Sequence, residues 1–177
     1  KHRFSHWALS QEPKPDCRRG INCCNAIGPN EYHKGRMASV VYHAFNQIGD
    51  TGGMKLFRSH KEGVKDGEQA RDFVYVKDVC DVCLFLMETR KNSGLYNLGS
   101  GRARTFLDLV RNTFKAMGKE EKISFIDTPA DIRDKYQYFT EAPMGKLRRV
   151  GYTRPFTTLE AGVSEYVKEY LQKKARY

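Results

Sequence analysis

Short apolar stretches alternate along this chain with segments whose apolar residues recur every three or four positions. Ile21 to Ala26 reads as a short strand, stopped by Gly28-Pro29. From Met37 to Ile48, apolar residues at 37, 40, 41, 44, 45 and 48 predict a helix, and Gly49 to Gly53 breaks it. Met54 to Phe57 is a strand candidate. His60 to Gln69, polar with two glycines, reads as a mobile loop. Phe73 to Val76 predicts a strand, and Val79 to Glu88 a helix with apolar residues at 79, 82, 83, 86 and 87. Gly94 to Leu98 and Ile123 to Ile126 are further strands. Between them Thr105 and Asp108 form a capping-box pair ahead of Phe106, Val110, Phe114 and Met117, and Gly118 ends that helix. Residues 128–155 carry charge and aromatics with little period. Thr157 or Thr158 caps a last helix striped by Leu159, Val163, Tyr166, Val167 and Tyr170. At the start, Phe4, Trp7 and Ala8 share a helical face that Pro13 and Pro15 stop. Strands alternating with helices predict an α/β domain.

Composition narrows this. The 177 residues suffice for one domain, and 40% apolar content gives it a modest core. No run of 18 apolar residues exists, so no membrane span is expected. No signal-peptide layout is visible. The formal net charge of +10 fits a solvated basic surface or a site for anionic nucleotides and sugar phosphates. Nucleic acid is the weakest of the three readings, because the basic residues are scattered without zinc-finger or RNP-like patterns. Five cysteines, an odd number, suit a reducing compartment. Cys80-x-x-Cys83 falls on a predicted helix without a second pair or a nearby His, so packing is expected there rather than metal or redox chemistry.

Chemistry concentrates between Asn25 and Ser39. His33, Lys34 and Gly35 lie between a strand end and a helix start, where α/β proteins place ligands. A lysine there offers a movable point charge and, when partly desolvated, a proton-transfer group; an exposed structural lysine is the other reading. Gly99-Ser-Gly101-Arg-Ala-Arg104 imitates a dinucleotide fingerprint, but Arg104 stands where the third glycine is needed. Tyr170 and Lys174 match a Tyr-x-x-x-Lys spacing on a charged terminal helix, which reads as coincidence.

Asn25-x-x-Gly-Pro with His33-Lys-Gly-x-Met-Ala-Ser39, Arg71-Asp-Phe-x-Tyr-Val-x-Asp-Val79, Tyr96-Asn-Leu-Gly-Ser-Gly-Arg102 and Tyr136-Gln-Tyr-Phe-Thr140 carry a resemblance. Together they resemble the ADP-L-glycero-D-manno-heptose 6-epimerases, a family of extended short-chain dehydrogenases/reductases. The resemblance covers nearly the whole chain and only the C-terminal half of a full-length member. It implies an α/β fold holding part of a Rossmann sheet plus a substrate-binding region: residues 1–50 would be the remnant of the nucleotide-binding domain, and residues 51–177 the substrate-binding part. It implies NADP as cofactor, an ADP-sugar substrate, a role in lipopolysaccharide-core precursor synthesis, a bacterial cytoplasmic location and homo-oligomers of the full-length protein. Lys34 would be a catalytic acid/base group. Lys1, Ala26 and Lys34 would meet the cofactor, with Lys1 the lysine of a motif whose tyrosine precedes the chain. Asn25, Arg36, His43, Phe57, Arg58, Ser59, His60, Arg71 and Tyr136 would meet the substrate. The first residue is Lys rather than Met, and little turnover by this chain alone is expected.

The sequence also departs from the family. Asn22-Cys23-Cys24 replaces an aromatic-rich run, Ile27 replaces an aromatic, and Arg36 replaces a small hydroxyl residue. On the Arg-Asp-Phe motif alone, another nucleotide-sugar epimerase or dehydratase, or a noncatalytic anion-binding remnant, stays open.

Overall fold

A computed structural model describes residues 10, 19–89, 93–133 and 136–175. The expected first helix with Pro13 and Pro15, and the position of Lys1, lie outside the described residues. In chain order the elements are β1 (Arg19–Cys23), β2 (Asn25–Ile27), a 3-10 segment (Tyr32–Met37), α1 (Val40–Thr51), β3 (Met54–Phe57) and β4 (Ala70–Tyr75). There follow α2 (Val76–Glu88), β5 (Gly94–Leu98), β6 (Ala103–Thr105), α3 (Phe106–Met117), β7 (Ile123–Ile126), α4 (Ala130–Arg133) and β8 (Phe139–Thr140). The last are α5 (Gly145–Arg149) and α6 (Leu159–Glu165), which runs on into a π-helical segment (Tyr166–Leu171).

The strand expected over 21–26 divides at Cys24. β1 runs parallel to β5, with Ile21 opposite Tyr96, and Cys24 N–H donates to Leu98 O at 2.8 Å. β2 instead runs parallel to β4, with Ala26 opposite Val74. One stretch of chain thus serves two neighbours, which no local apolar pattern encodes. β4 also takes β6 antiparallel and β8 parallel, which extends it back to Ala70, beyond the expected start at Phe73. Val76 leaves the strand and opens α2. β3 and β7 pair separately.

The helix expected from Met37 begins at Val40. Ser39 is extended (φ −64°, ψ 157°) and its hydroxyl accepts the Tyr42 N–H, a helix N-cap. Met37 is 84% exposed because it closes the preceding 3-10 segment rather than the helical stripe. α1 continues through Gly49 to Thr51, and Gly52, at φ 74°, ends it. Thr105 and Asp108 make both halves of the capping box, and Gly118 caps α3 at φ 65°. Thr158 caps α6, while Thr157 bonds Asp78 instead.

Val41, Ala44 and Ile48 of α1 meet Leu109, Val110 and Phe114 of α3 and the Val163, Tyr166 and Val167 stripe in one core. Each of the Val, Leu, Ile and Phe side chains among them contributes about 1.5–3 kcal/mol relative to exposure. A smaller cluster joins Val82, Leu86, Tyr96, Leu98, Leu147 and Tyr152 under α2 and α5. Met87, expected in the α2 stripe, points to solvent at 69% exposure. Among the described residues no helix is long and apolar enough to cross a membrane, and no group of His, Cys, Asp and Glu is placed to hold a metal ion.

Candidate active site

Beyond β2 the chain turns at Gly28 (φ 146°), where a Cβ would stand 2.3 Å from Val76 Cγ1. That close approach packs the end of β2 against the start of α2. The 3-10 segment follows, with the Lys34 N–H donated to Glu31 O at 2.9 Å. Asn25, Ala26 and Lys34 are exposed and line one cavity of about 570 Å³, together with Cys24, Gln137 and Thr140. The partial desolvation invoked for Lys34 is therefore not supplied by the described residues. Burial raises the Cys24 thiol pKa, with Asp72 adding to it, so that side chain stays a neutral wall.

A second cavity of about 320 Å³ shares Val40 and Phe106 with the first. Arg36, His43, Phe57 and Tyr136 line it. Phe57 and Tyr136 meet edge to face at 6.3 Å. Arg71 lines neither cavity but lies behind their walls, between Phe106 and Tyr136. Its guanidinium lies 5.8 Å from the Phe106 ring and 5.7 Å from the Tyr136 ring, and donates to Ala70 O and Gln137 O. Burial lowers the Arg71 pKa, but a guanidinium stays charged at any ordinary pH. Burial also raises Tyr136, which remains a neutral phenol.

Arg58, Ser59 and His60 line neither cavity. Arg58 stands 3.9 Å from Asp127 in solvent, the Ser59 N–H bonds Asp66 at 2.7 Å, and the His60 N–H bonds the Tyr138 hydroxyl at 3.1 Å. They form a rim beyond Phe57. Tyr170 packs in the core, 8% exposed, away from both cavities.

The Gly99–Arg102 turn already holds an anion, and the chain supplies it. Asp72, fully buried, accepts the Ser100 N–H and hydroxyl through Oδ1 at 2.7 and 2.6 Å, and the Gly101 and Ala142 N–H groups through Oδ2 at 3.0 Å each. A Cβ on Gly99 would lie 2.2 Å from Asp72 Oδ2. The turn resembles a phosphate cradle because it binds a carboxylate by the same backbone donors.

Sequence reasoning passed over Glu31, Gln137, Thr140, Cys24 and Phe106 as parts of these walls. Gln137 and Thr140 left a signal, as members of the Tyr136-Gln-Tyr-Phe-Thr140 segment. The Thr140 hydroxyl is buried and has no hydrogen-bond partner among the described residues.

Residues 18–99 match the model of the NAD dependent epimerase/dehydratase family. The chain is 48% identical, over 183 aligned residues, to the ADP-L-glycero-D-manno-heptose-6-epimerase of Fusobacterium nucleatum, covering 100% of this chain and 55% of that protein. The crystal structure of the Helicobacter pylori ADP-L-glycero-D-manno-heptose-6-epimerase superposes with a TM-score of 0.76 at 28% identity, over 94% of this chain and 48% of that one. The Thermus thermophilus UDP-glucose 4-epimerase, solved with NAD, superposes with a TM-score of 0.73 at 22% identity, over 96% of this chain and 50% of that one. The chain spans about half the length of the relatives it matches. Its partial sheets and helices are those of the C-terminal portion of the extended short-chain dehydrogenase/reductase fold.

Proposed function

We propose that this chain, similar along its whole length to ADP-L-glycero-D-manno-heptose-6-epimerases, forms the sugar-facing part of such an enzyme. It would invert C6 of an ADP-heptose through a transient ketone, in the bacterial cytoplasm, towards lipopolysaccharide-core precursors. Residues 1–50 would close the nucleotide-binding domain and residues 51–177 would hold the substrate. The observation that carries the reading is the convergence of three distant segments. Lys34 on its loop, Phe57 at the end of β3 and Tyr136 before β8 border two cavities joined by Val40 and Phe106.

Arg71 is the cation for the diphosphate: it is stacked between Phe106 and Tyr136, and its fork suits phosphate oxygens. Phe57 and Tyr136 offer faces to the nucleoside, and Asn25 and His43 offer polar contacts to the sugar. Lys34 exchanges the proton on the C6 oxygen, and its 3-10 loop keeps it clear of the wall so that either hydroxyl configuration can be met. Ala26, small and exposed in the middle of β2, and Lys34, which lines the same cavity, fit the flat nicotinamide end of a dinucleotide. The Gly99–Arg102 turn does not fit dinucleotide phosphates, because Asp72 fills it. NADP, when bound, would take and return the hydride at C6.

The test is a calorimetric titration of the chain with ADP-L-glycero-D-manno-heptose and with UDP-glucose. The reading expects saturable binding of the ADP-sugar, weakened by Arg71→Ala. Preference for UDP-glucose would move the assignment to another nucleotide-sugar epimerase or dehydratase. Binding that follows salt alone, without preference, would reduce the chain to an anion-binding surface.

A further inference from the structure

Glu31 is 3% exposed, yet its carboxyl group meets three donors. Oε2 accepts the Ser39 N–H at 2.6 Å, and Oε1 accepts the Ser39 hydroxyl at 2.5 Å and the Tyr166 hydroxyl at 2.8 Å. Its backbone carbonyl accepts the Lys34 N–H. The neighbouring Tyr32 hydroxyl donates to Ala175 O at 2.9 Å, a second tie to the C-terminal end. The 3-10 segment is thus fastened before its start at Glu31 and beyond its end at Ser39 through one side chain. Between these fixed points Lys34 and Gly35 stand exposed, with Gly35 at φ 51° and no described residue beyond its chain neighbours within 4 Å of where a Cβ would be.

A buried carboxyl group is an expensive way to hold a loop, because apolar packing of the same volume stabilises as much or more. Its directional bonds give one geometry instead of many. The donor that reaches it from afar, Tyr166, begins a π-helical segment, a rare conformation often found at functional sites.

We propose that Glu31 and Tyr166 are positioning residues for Lys34, so that the C-terminal helix, 135 residues away in sequence, sets where that lysine stands. The functional meaning rests on Lys34 being the proton-transfer group; the mechanical part does not.

Amide hydrogen exchange of the full chain, read by NMR at the Lys34 N–H, tests it without any ligand. Tyr166→Phe removes one hydroxyl and keeps the ring. It should speed Lys34 exchange about tenfold while the Leu98 and Leu109 amides stay within about twofold. Glu31→Gln should do the same, and Thr158→Ala, which loosens the cap of the same helix, should leave Lys34 unchanged. Should Glu31→Gln not fold, Tyr166→Phe decides alone. The proposal is overturned if Lys34 exchange in Tyr166→Phe stays within twofold of the parent, or rises only in step with Leu98 and Leu109. A Lys34 amide that responds as expected, in a chain that fails to bind ADP-heptose, supports the clamp and sinks the functional reading instead.

Discussion

Changing Asp72 to Asn should cost the fold about 2–4 kcal/mol. In the parent, four donors share two oxygens. Asn keeps one oxygen and turns an NH2 group toward the other pair of donors. In the better orientation the NH2 faces Ser100, whose hydroxyl rotates to accept while its N–H is orphaned. A buried donor without a partner costs about 1–3 kcal/mol, and the remaining bonds lose the advantage of a charged acceptor, about 1 kcal/mol more. Asp72→Ala orphans three N–H groups and should cost about 4–6 kcal/mol, a large share of the 5–15 kcal/mol typical of a domain. Urea unfolding followed by circular dichroism measures it. With a slope of about 2 kcal/mol per molar, the Asn variant should lose about 1–2 M in midpoint at unchanged slope. Gly99→Ala should be costly as well, since its Cβ would sit 2.2 Å from Asp72 Oδ2, and less costly once Asp72 is Ala. A loss below about 1 kcal/mol for Asp72→Asn, or additive costs in the double variant, would refute the idea that this carboxylate holds the turn.

Three further outcomes follow from single groups. Thr105→Ala removes the hydroxyl half of the α3 capping box and should cost about 1 kcal/mol in the same unfolding assay. Burial raises the Asp78 pKa above the usual 3.8, outweighing its bonds to Thr157. The folded state then holds that proton more tightly than the unfolded one, so the stability this group contributes is full below pH 3.8 and declines as pH rises through its folded pKa. The stability difference between the parent and Asp78→Asn should accordingly be larger at about pH 3.5 than at about pH 6, and the reverse trend would contradict the assignment. Arg71→Lys keeps the charge but loses the fork and the stacking. ADP should bind about tenfold more weakly by calorimetry, and unchanged affinity would remove Arg71 from the site.

Local signals were legible in the sequence and non-local ones were not. The Thr105–Asp108 capping box, the Gly118 stop and the Leu159–Tyr170 stripe each depend on neighbours within a few turns, and the structure shows each of them. The division of the first strand at Cys24, the back-extension of β4 and the two-residue β8 all follow from pairing with strands far away in sequence. Met37 fits a helical stripe by type, but Ser39 and the open conformation of Gly35 put it on the far side of a break. The candidate site divides in the same way. Lys34, Asn25, Arg36, His43, Phe57 and Tyr136 sit in recognisable segments and border the cavities. Glu31, which holds the Lys34 loop, has a partner 135 residues away, and nothing local distinguishes it from a surface acid. Asp72 lies in the recognisable Arg71-Asp-Phe motif, but its partners in the Gly99–Arg102 turn and at Ala142 are 28 to 70 residues away.

The most direct measurement is a map of amide shifts as ADP-L-glycero-D-manno-heptose is titrated into the labelled chain. The account predicts saturable changes in the segments around Asn25, Lys34, His43, Phe57 and Tyr136, moving together with one affinity. Changes confined to the Gly99–Arg104 turn, or none in those five segments at saturating sugar nucleotide, would contradict it.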